Sequence, residues 1–286
     1  MLASGVLGIS ASSLIRVFEA GAGAVVTKSL GIKPREGFLN PTIVEVDCGL
    51  INAMGLPNPG VNEFTKEIQV VKKANVPVIA SVYGFTAGEF VEAAKIVEKA
   101  GSDAIELNVS CPHVKEVGVQ IGQNPEVVFE VVKKVKSAVK KPVFTKLAPD
   151  VTDITAIAEA AEKAGTDAIT AINTIKAMAI DVEVGKPILA SKIGGLSGPG
   201  LKPIALRCVY EIYEAVKVPI IGCGGIMNWQ DAVEFMLAGA TAVQIGTGVV
   251  RNYLGIFKEI TRGVESYLAR KKHRSVKEIV GLSHTC

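Results

Sequence analysis

The stretch KAGSDAIELN (99–108) closes a helix-like run on Ala-Gly, passes a small polar pair, and enters a continuous apolar run. The glycine suits the left-handed position just beyond a helix end. The unbroken apolar run suits a strand covered on both faces. The same pattern recurs in EAGAGAVVTK (19–28), KAGTDAITAIN (163–173) and LAGATAVQIG (237–246). Between these lie strand-like segments of a second kind, NVPVIASV (75–82), KKPVFTKL (140–147) and KVPIIGCGG (217–225). Each has a proline at its entrance, where a missing N–H costs least.

With MLASG (1–5) as the first, eight strand-like segments alternate with helix-like ones. The latter include AGEFVEAAKIVEKA (87–100), NPEVVFEVVKKVKSAVK (124–140), VTDITAIAEAAEKA (151–164), KPIALRCVYEIYEAV (202–216) and NWQDAVEFMLA (228–238). Asn124 and Asn228 read as N-caps, the first followed by proline at the first helical position. Eight such units in a chain of this length predict a (β/α)8 TIM barrel of the α/β class. The even alternation, without a switch point, disfavours a doubly wound sheet. No linker-like stretch divides the chain, so residues 1–286 are expected to form one domain. Two excursions break the rhythm, about 29–66 after the second strand and about 174–200 after the sixth. Both leave from strand C-terminal ends, where barrels carry their chemistry.

The composition excludes several classes. Of 286 residues 49% are apolar, enough for a large core without staples. The net charge of +3 is spread along the chain, and the one cluster, ARKKHR (269–274), reads as a solvated last helical turn. Nucleic acid is therefore not an expected partner. The cysteines (Cys48, Cys111, Cys208, Cys223 and Cys286) are odd in number and scattered, which argues against a disulfide framework or a zinc site. Charges and glycines interrupt every apolar run before the ~18 residues of a membrane span, and no signal peptide is evident. A reduced, cytoplasmic setting is expected.

Reading the strand ends in order gives Ser4, Lys28, Ser81, Asn108 with Cys111, Lys146, Asn173 with Thr174, Gly224 with Gly225, and Gly246 with Thr247. On this fold they converge on one pocket. Packing alone does not call for two lysines and two asparagines there, because lysine is almost never buried without a partner. The segments GCGGIM (222–227) and IGTG (245–248) follow strands seven and eight, where this architecture holds phosphate groups. The pocket is expected to take a phosphorylated ligand, as substrate or as cofactor. No carboxylate stands at a strand end and no His/Asp/Glu cluster has metal spacing, so metal-assisted chemistry is not expected. Asparagines donate and accept, which suits a ring of alternating C=O and N–H groups such as a pyrimidine. In ELNVSCPHV (106–114), Cys111 at this point stands open as buried filler, metal ligand or base.

These residues resemble the FMN-containing catalytic subunits of the dihydroorotate dehydrogenase family, most closely the class 1B type. The carriers are ASGVLG (3–8), TKS (27–29), NAMGLPNPG (52–60), ELNVSCP (106–112), KLAPDVTDI (146–154), INT (172–174), GGLSGPGLKPIALR (194–207), IIGCGGI (220–226) and AVQIGTG (242–248). The resemblance covers nearly the whole chain. It implies one FMN, with its phosphate at Gly224, Gly225, Gly246 and Thr247 and the flavin lined by Ser4, Lys28, Ser29, Asn108, Lys146, Ile172 and Gly198. Dihydroorotate would be bound by Lys28, Asn52, Ala53, Met54, Gly55, Leu56, Asn108, Asn173 and Thr174. Cys111 would take the proton from C5 while hydride leaves C6 for the flavin, and Lys146 would stabilise the growing negative charge. A thiol titrates near ~8.5, so only a modest lowering is needed for such a base. Pro112 would hold it, and KEVGVQIG (115–122) has the composition of a lid. Cys223 reads as packing.

The class 1B likeness further implies a homodimer joined to a partner subunit carrying FAD and a [2Fe-2S] cluster, forming a heterotetramer that passes electrons to NAD. Fumarate as direct acceptor is the alternative. Departures are His113, where many members carry a substrate-binding asparagine, and Ser81, in place of an asparagine that often touches FMN. A third is Met1, which falls inside the first strand where relatives carry a further N-terminal segment. His113 bears on which pyrimidine is preferred, so a dihydropyrimidine dehydrogenase acting on dihydrouracil is the nearest rival. A rival of another class is a lyase forming a Schiff base on Lys146 or Lys28 with a phosphorylated substrate.

Overall fold

The computed structural model describes residues 1–110 and 121–285. Residues 111–114, with Cys111, Pro112 and His113, and residues 115–120 of the expected lid lie outside the described residues, as does Cys286. The strands Val25–Val26, Val78–Val82, Ala104–Asn108, Val143–Leu147, Ala168–Ala171, Ile220–Cys223 and Ala240–Gln244 form one parallel sheet in chain order. Leu2 bridges in parallel to both Val25 and Ile245, and so closes the sheet into a barrel. Its neighbours complete the seam, with Leu2 N donating to Ala24 O (3.1 Å) and Ala3 N to Ile245 O (2.9 Å). The eight strand-like segments read from the sequence are thus the barrel staves.

The Ala-Gly repeat does what its chemistry allows. Helices Ala11–Glu19, Ala87–Lys99, Ile154–Lys163 and Trp229–Leu237 each end on an alanine, with Gly21, Gly101, Gly165 and Gly239 following at φ of +105°, +99°, +93° and +122°. At the second, Gly101 N donates to Glu98 O (2.9 Å) and Ser102 N to Val97 O (3.2 Å), the paired bonds of a left-handed helix stop. The polar pair after the glycine then ties one unit to another. Asp103 accepts from Val78 N and Lys72 Nζ, as Asp167 does from Val143 N and Lys136 Nζ. The glutamate before the repeat has a matching task. Glu98 Oε1 accepts from Lys140 and Lys141 N, and Glu162 Oε1 from Lys217 and Val218 N. The entrance prolines still serve the ladder through their carbonyls: Pro77 O accepts from Val25 N, Pro142 O from Ile105 N and Pro219 O from Ile169 N.

Helices Val61–Lys73, Pro125–Ala138, Lys202–Ala215 and Ile256–Lys271 complete the outer ring. Asn124 and Asn228 cap their helices as expected, and Asn228 forms a reciprocal box with Asp231. The basic cluster falls in the last turn of Ile256–Lys271 and just beyond. Among the described residues no helix is long and apolar enough to cross a membrane.

The two excursions meet. Ile43–Val46 and Gly49–Asn52 from the first join Ile175–Ala177 and Gly194–Ser197 from the second in one antiparallel four-stranded sheet. Asn52 stands opposite Gly195, 143 residues away in the chain. This sheet contributes one wall of the cavity at the C-terminal end of the barrel.

Candidate active site

Strand ends and excursion sheet enclose a cavity of about 490 Å³. Its floor is set by the inward face of four staves. Lys146, on strand Val143–Leu147, is 4% exposed, and Glu106, on Ala104–Asn108, is fully buried. Lys146 Nζ stands 3.7 Å from Glu106 Oε1, an ion pair too long for a hydrogen bond, and donates to Gln244 Oε1 at 3.2 Å. Gln244 Nε2 in turn donates to Glu106 Oε2 (2.7 Å), which also accepts from Thr170 Oγ1 (3.0 Å). Among the described residues Glu106 Oε1 is buried without a hydrogen-bond partner. Burial works against the charge on Lys146, but the Glu106 carboxylate and, to a smaller extent, Cys223 together outweigh it, so its pKa lies above the ordinary value. Cys223 lines the same floor, and burial pushes its thiol up while Lys146 pulls it down.

Above the floor runs a row of amides and hydroxyls. Asn108 Nδ2 donates to Ser29 Oγ (3.0 Å), and Asn108 Oδ1 accepts from Ser110 Oγ (2.6 Å). Ser110 Oγ also accepts from Asn173 Nδ2, whose Oδ1 accepts from Thr174 N (2.9 Å). Ser4 lies 3.3 Å from Ser29, oxygen to oxygen. These bonds fix both asparagines from the side, so that their orientation is set before any ligand arrives. Ser81 is wholly buried and pairs with Ser29 at 2.9 Å, supporting the row rather than lining the cavity. Lys28 and Ile172 line the same space.

The mouth is made by the segment Asn52 to Leu56 and by the excursion sheet. Asn52 Nδ2 donates to Gly195 O (3.3 Å), Ala53 N to Thr42 O (2.8 Å) and Asn58 Nδ2 to Leu56 O (2.8 Å), while Met54 O accepts from Phe38 N (3.0 Å). At the other end, the loops after strands seven and eight bring in Gly224, Gly225, Gly246 and Thr247, with Gly198 facing them. Gly225 has φ +75°, and a Cβ there would stand 2.6 Å from Lys202 N, the first residue of helix Lys202–Ala215. Only glycine lets this loop lie against that helix start. Thr247 Oγ1 donates to Ser197 Oγ (2.7 Å), tying the loop to the excursion sheet.

The site residues read from the sequence line this one cavity, except Ser81, which stands behind it against Ser29, and Cys111, which lies outside the described residues; Ser110 beside Cys111 does line the cavity. Sequence reading missed Glu106, Thr170 and Gln244, and also Asp150, which lines the mouth and accepts from Lys176 N (3.1 Å). The reading found no carboxylate at a strand end, and Glu106 is consistent with that: it sits two residues before the end, beneath the pocket. Its signal was present as the carboxylate that interrupts the apolar run of its stave before Asn108.

The comparisons with known proteins agree with one another. A family profile described as "Dihydroorotate dehydrogenase" matches residues 1–268. The chain is 54% identical over 283 residues to a protein of Pyrococcus furiosus, covering 99% of this chain and 94% of that one. It is 51% identical over 284 residues to one of Methanocella arvoryzae, covering 99% and 93%. Both relatives are named "Dihydroorotate dehydrogenase B (NAD(+)), catalytic subunit". Among solved structures, the Eimeria tenella DHODH in complex with ferulenol superposes with a TM-score of 0.85, covering 100% of this chain and 85% of that one at 23% identity, a likeness of fold.

Proposed function

The chain belongs to the dihydroorotate dehydrogenase family, and on that premise we propose that it oxidises dihydroorotate to orotate in pyrimidine biosynthesis as the FMN-bearing catalytic subunit of an NAD-linked enzyme. The observation that carries the reading is the single cavity that joins a buried, charged Lys146 to a row of laterally fixed asparagines. FMN suits its donor set. The glycine loops after strands seven and eight, at Gly224, Gly225, Gly246 and Thr247, would take the phosphate on backbone N–H groups. Ser4, Lys28, Ser29, Asn108, Lys146, Ile172 and Gly198 would line the ring system. When bound, the flavin supplies the two-electron acceptor for the hydride leaving C6 of the substrate.

The chain's own residues do the rest. Lys28, Asn52 to Leu56, Asn108, Asn173 and Thr174 hold the pyrimidine ring and its carboxylate through donors and acceptors already oriented by their neighbours. Cys111 takes the C5 proton, so that proton and hydride leave by separate routes and the ring gains its double bond. Lys146 offers a fixed cation to the negative charge that grows beneath the substrate. In this reading a partner subunit carrying FAD and a [2Fe-2S] cluster would hand the electrons on to NAD; "catalytic subunit" and "NAD(+)" in the relatives' names support the partner and the acceptor. A homodimer within a heterotetramer is part of the same reading.

The test is the visible spectrum of the purified protein under anaerobic conditions, before and after dihydroorotate. An oxidised-flavin spectrum that bleaches with dihydroorotate, and bleaches ~10²–10⁴ times more slowly in Cys111→Ala, is the expected result. Bleaching by dihydrouracil alone would move the activity to another pyrimidine. A colourless protein that FMN does not reconstitute would overturn the reading.

A further inference from the structure

The buried carboxylate beneath Lys146 has no task in the chemistry described so far. Glu106 is fully buried in a stave, and its Oε2 is clamped by Gln244 Nε2 at 2.7 Å and Thr170 Oγ1 at 3.0 Å. The clamp leaves Oε1 without a hydrogen bond among the described residues, 3.7 Å from the ammonium. Gln244 completes the arrangement by accepting from Lys146 with one end of its amide while donating to Glu106 with the other. Packing does not need this: an apolar residue of similar size would fill a stave without a buried charge to satisfy.

Resting on the reading of a flavin above Lys146, we propose that Glu106 is the positioning residue for that lysine, holding its ammonium charged and in place on the cavity floor. A lone ammonium in such a site carries an uncompensated desolvation cost, and a lysine meets that cost by losing its proton or by leaving. With Glu106 fixed from below, Lys146 does neither. Its charge stays where negative charge arrives on the ring above, and its spare donors are not drawn to a close carboxylate bond. The 3.7 Å separation is part of the device: a tight hydrogen-bonded pair would spend the cation on its partner.

Sulfite supplies the test, because it adds to the flavin itself and its affinity reports the positive charge next to the ring without any turnover. The FMN-loaded protein is titrated with sulfite as wild type, Glu106→Gln, Lys146→Met and the double variant. Glu106→Gln keeps the shape and removes the charge. It is expected to weaken sulfite binding about tenfold or more, nearly as far as Lys146→Met, and to change it less than about twofold in the Lys146→Met background. Unchanged or tighter binding in Glu106→Gln would overturn the proposal, as would an equal loss in both backgrounds. If Glu106→Gln does not fold, Gln244→Met unlatches the same pair, and its loss must likewise vanish in the Lys146→Met background. Failure of wild type to bleach with dihydroorotate would sink the substrate reading and leave this titration interpretable.

Discussion

On the floor of the cavity, Glu106, Lys146, Thr170 and Gln244 belong to four different staves and none is more than 4% exposed. At its mouth, Asn52, Asn173 and Thr174 are half-buried and hang from strand ends and the excursion sheet. The floor is held by side-chain hydrogen bonds and one ion pair among these four residues, an arrangement suited to an electrostatic role. The mouth is a recognition device, whose amides are oriented by neighbours but remain open to a ligand. A rigid cation acts on the transition state, whereas oriented amides act on substrate and transition state alike.

Four predictions sharpen or break this contrast. The largest effect belongs to the floor: Lys146→Met is expected to slow flavin reduction by dihydroorotate ~10²–10³-fold at saturation. Rapid mixing at several substrate concentrations measures it. At the mouth, Asn173→Ala removes hydrogen bonding worth ~1–3 kcal/mol, so half-saturation moves up by about fivefold or more while the limiting rate holds to within a few-fold. A fall in limiting rate without loss of affinity would put Asn173 on the floor's side of the comparison.

The third prediction concerns pH. Burial lowers the affinity of Lys146 for its proton and Glu106 raises it, with a net shift upward from 10.5. A group whose pKa is raised stays protonated at every pH below its ordinary value. The limiting rate is therefore expected to rise once with pH, as Cys111 ionises, and to show no fall below about pH 10. A descending limb near neutrality in wild type would mean that the floor does not hold the cation. The smallest effect lies away from both regions. Asn228→Ala removes the capping box over Trp229–Leu237, costs about 1 kcal/mol and lowers the Tm by roughly 2–4 °C, with flavin reduction unchanged.

The same contrast explains what could be read from sequence. The staves were legible because strands buried on both faces show continuous apolar runs, and because Gly101, Asp103 and Glu98 act within a local unit that repeats at Gly165, Asp167 and Glu162. Strand ends then follow by counting, which is why the lysines and asparagines were found. The excursion sheet was not legible. Its strand Ile43–Val46 alternates between exposed and half-buried positions, and its pairing of Asn52 with Gly195 spans the barrel. Glu106 was visible as a residue but not as a partner, because its meeting with Lys146 depends on the register that sets Asn108 beside Lys146, and on Gln244 arriving from the eighth stave. Ser81 shows the limit of analogy: it stands in an asparagine's place, yet works from below by bonding Ser29.

The most direct measurement is anaerobic rapid mixing of wild type and Lys146→Met, each loaded with FMN, over a range of dihydroorotate concentrations. The account predicts that dihydroorotate bleaches the wild-type flavin, and that in the variant the limiting rate collapses while half-saturation shifts by less than about threefold, the signature of an interaction made in the transition state. A wild-type flavin that dihydroorotate leaves oxidised, or a variant that loses affinity while keeping its limiting rate, would contradict it.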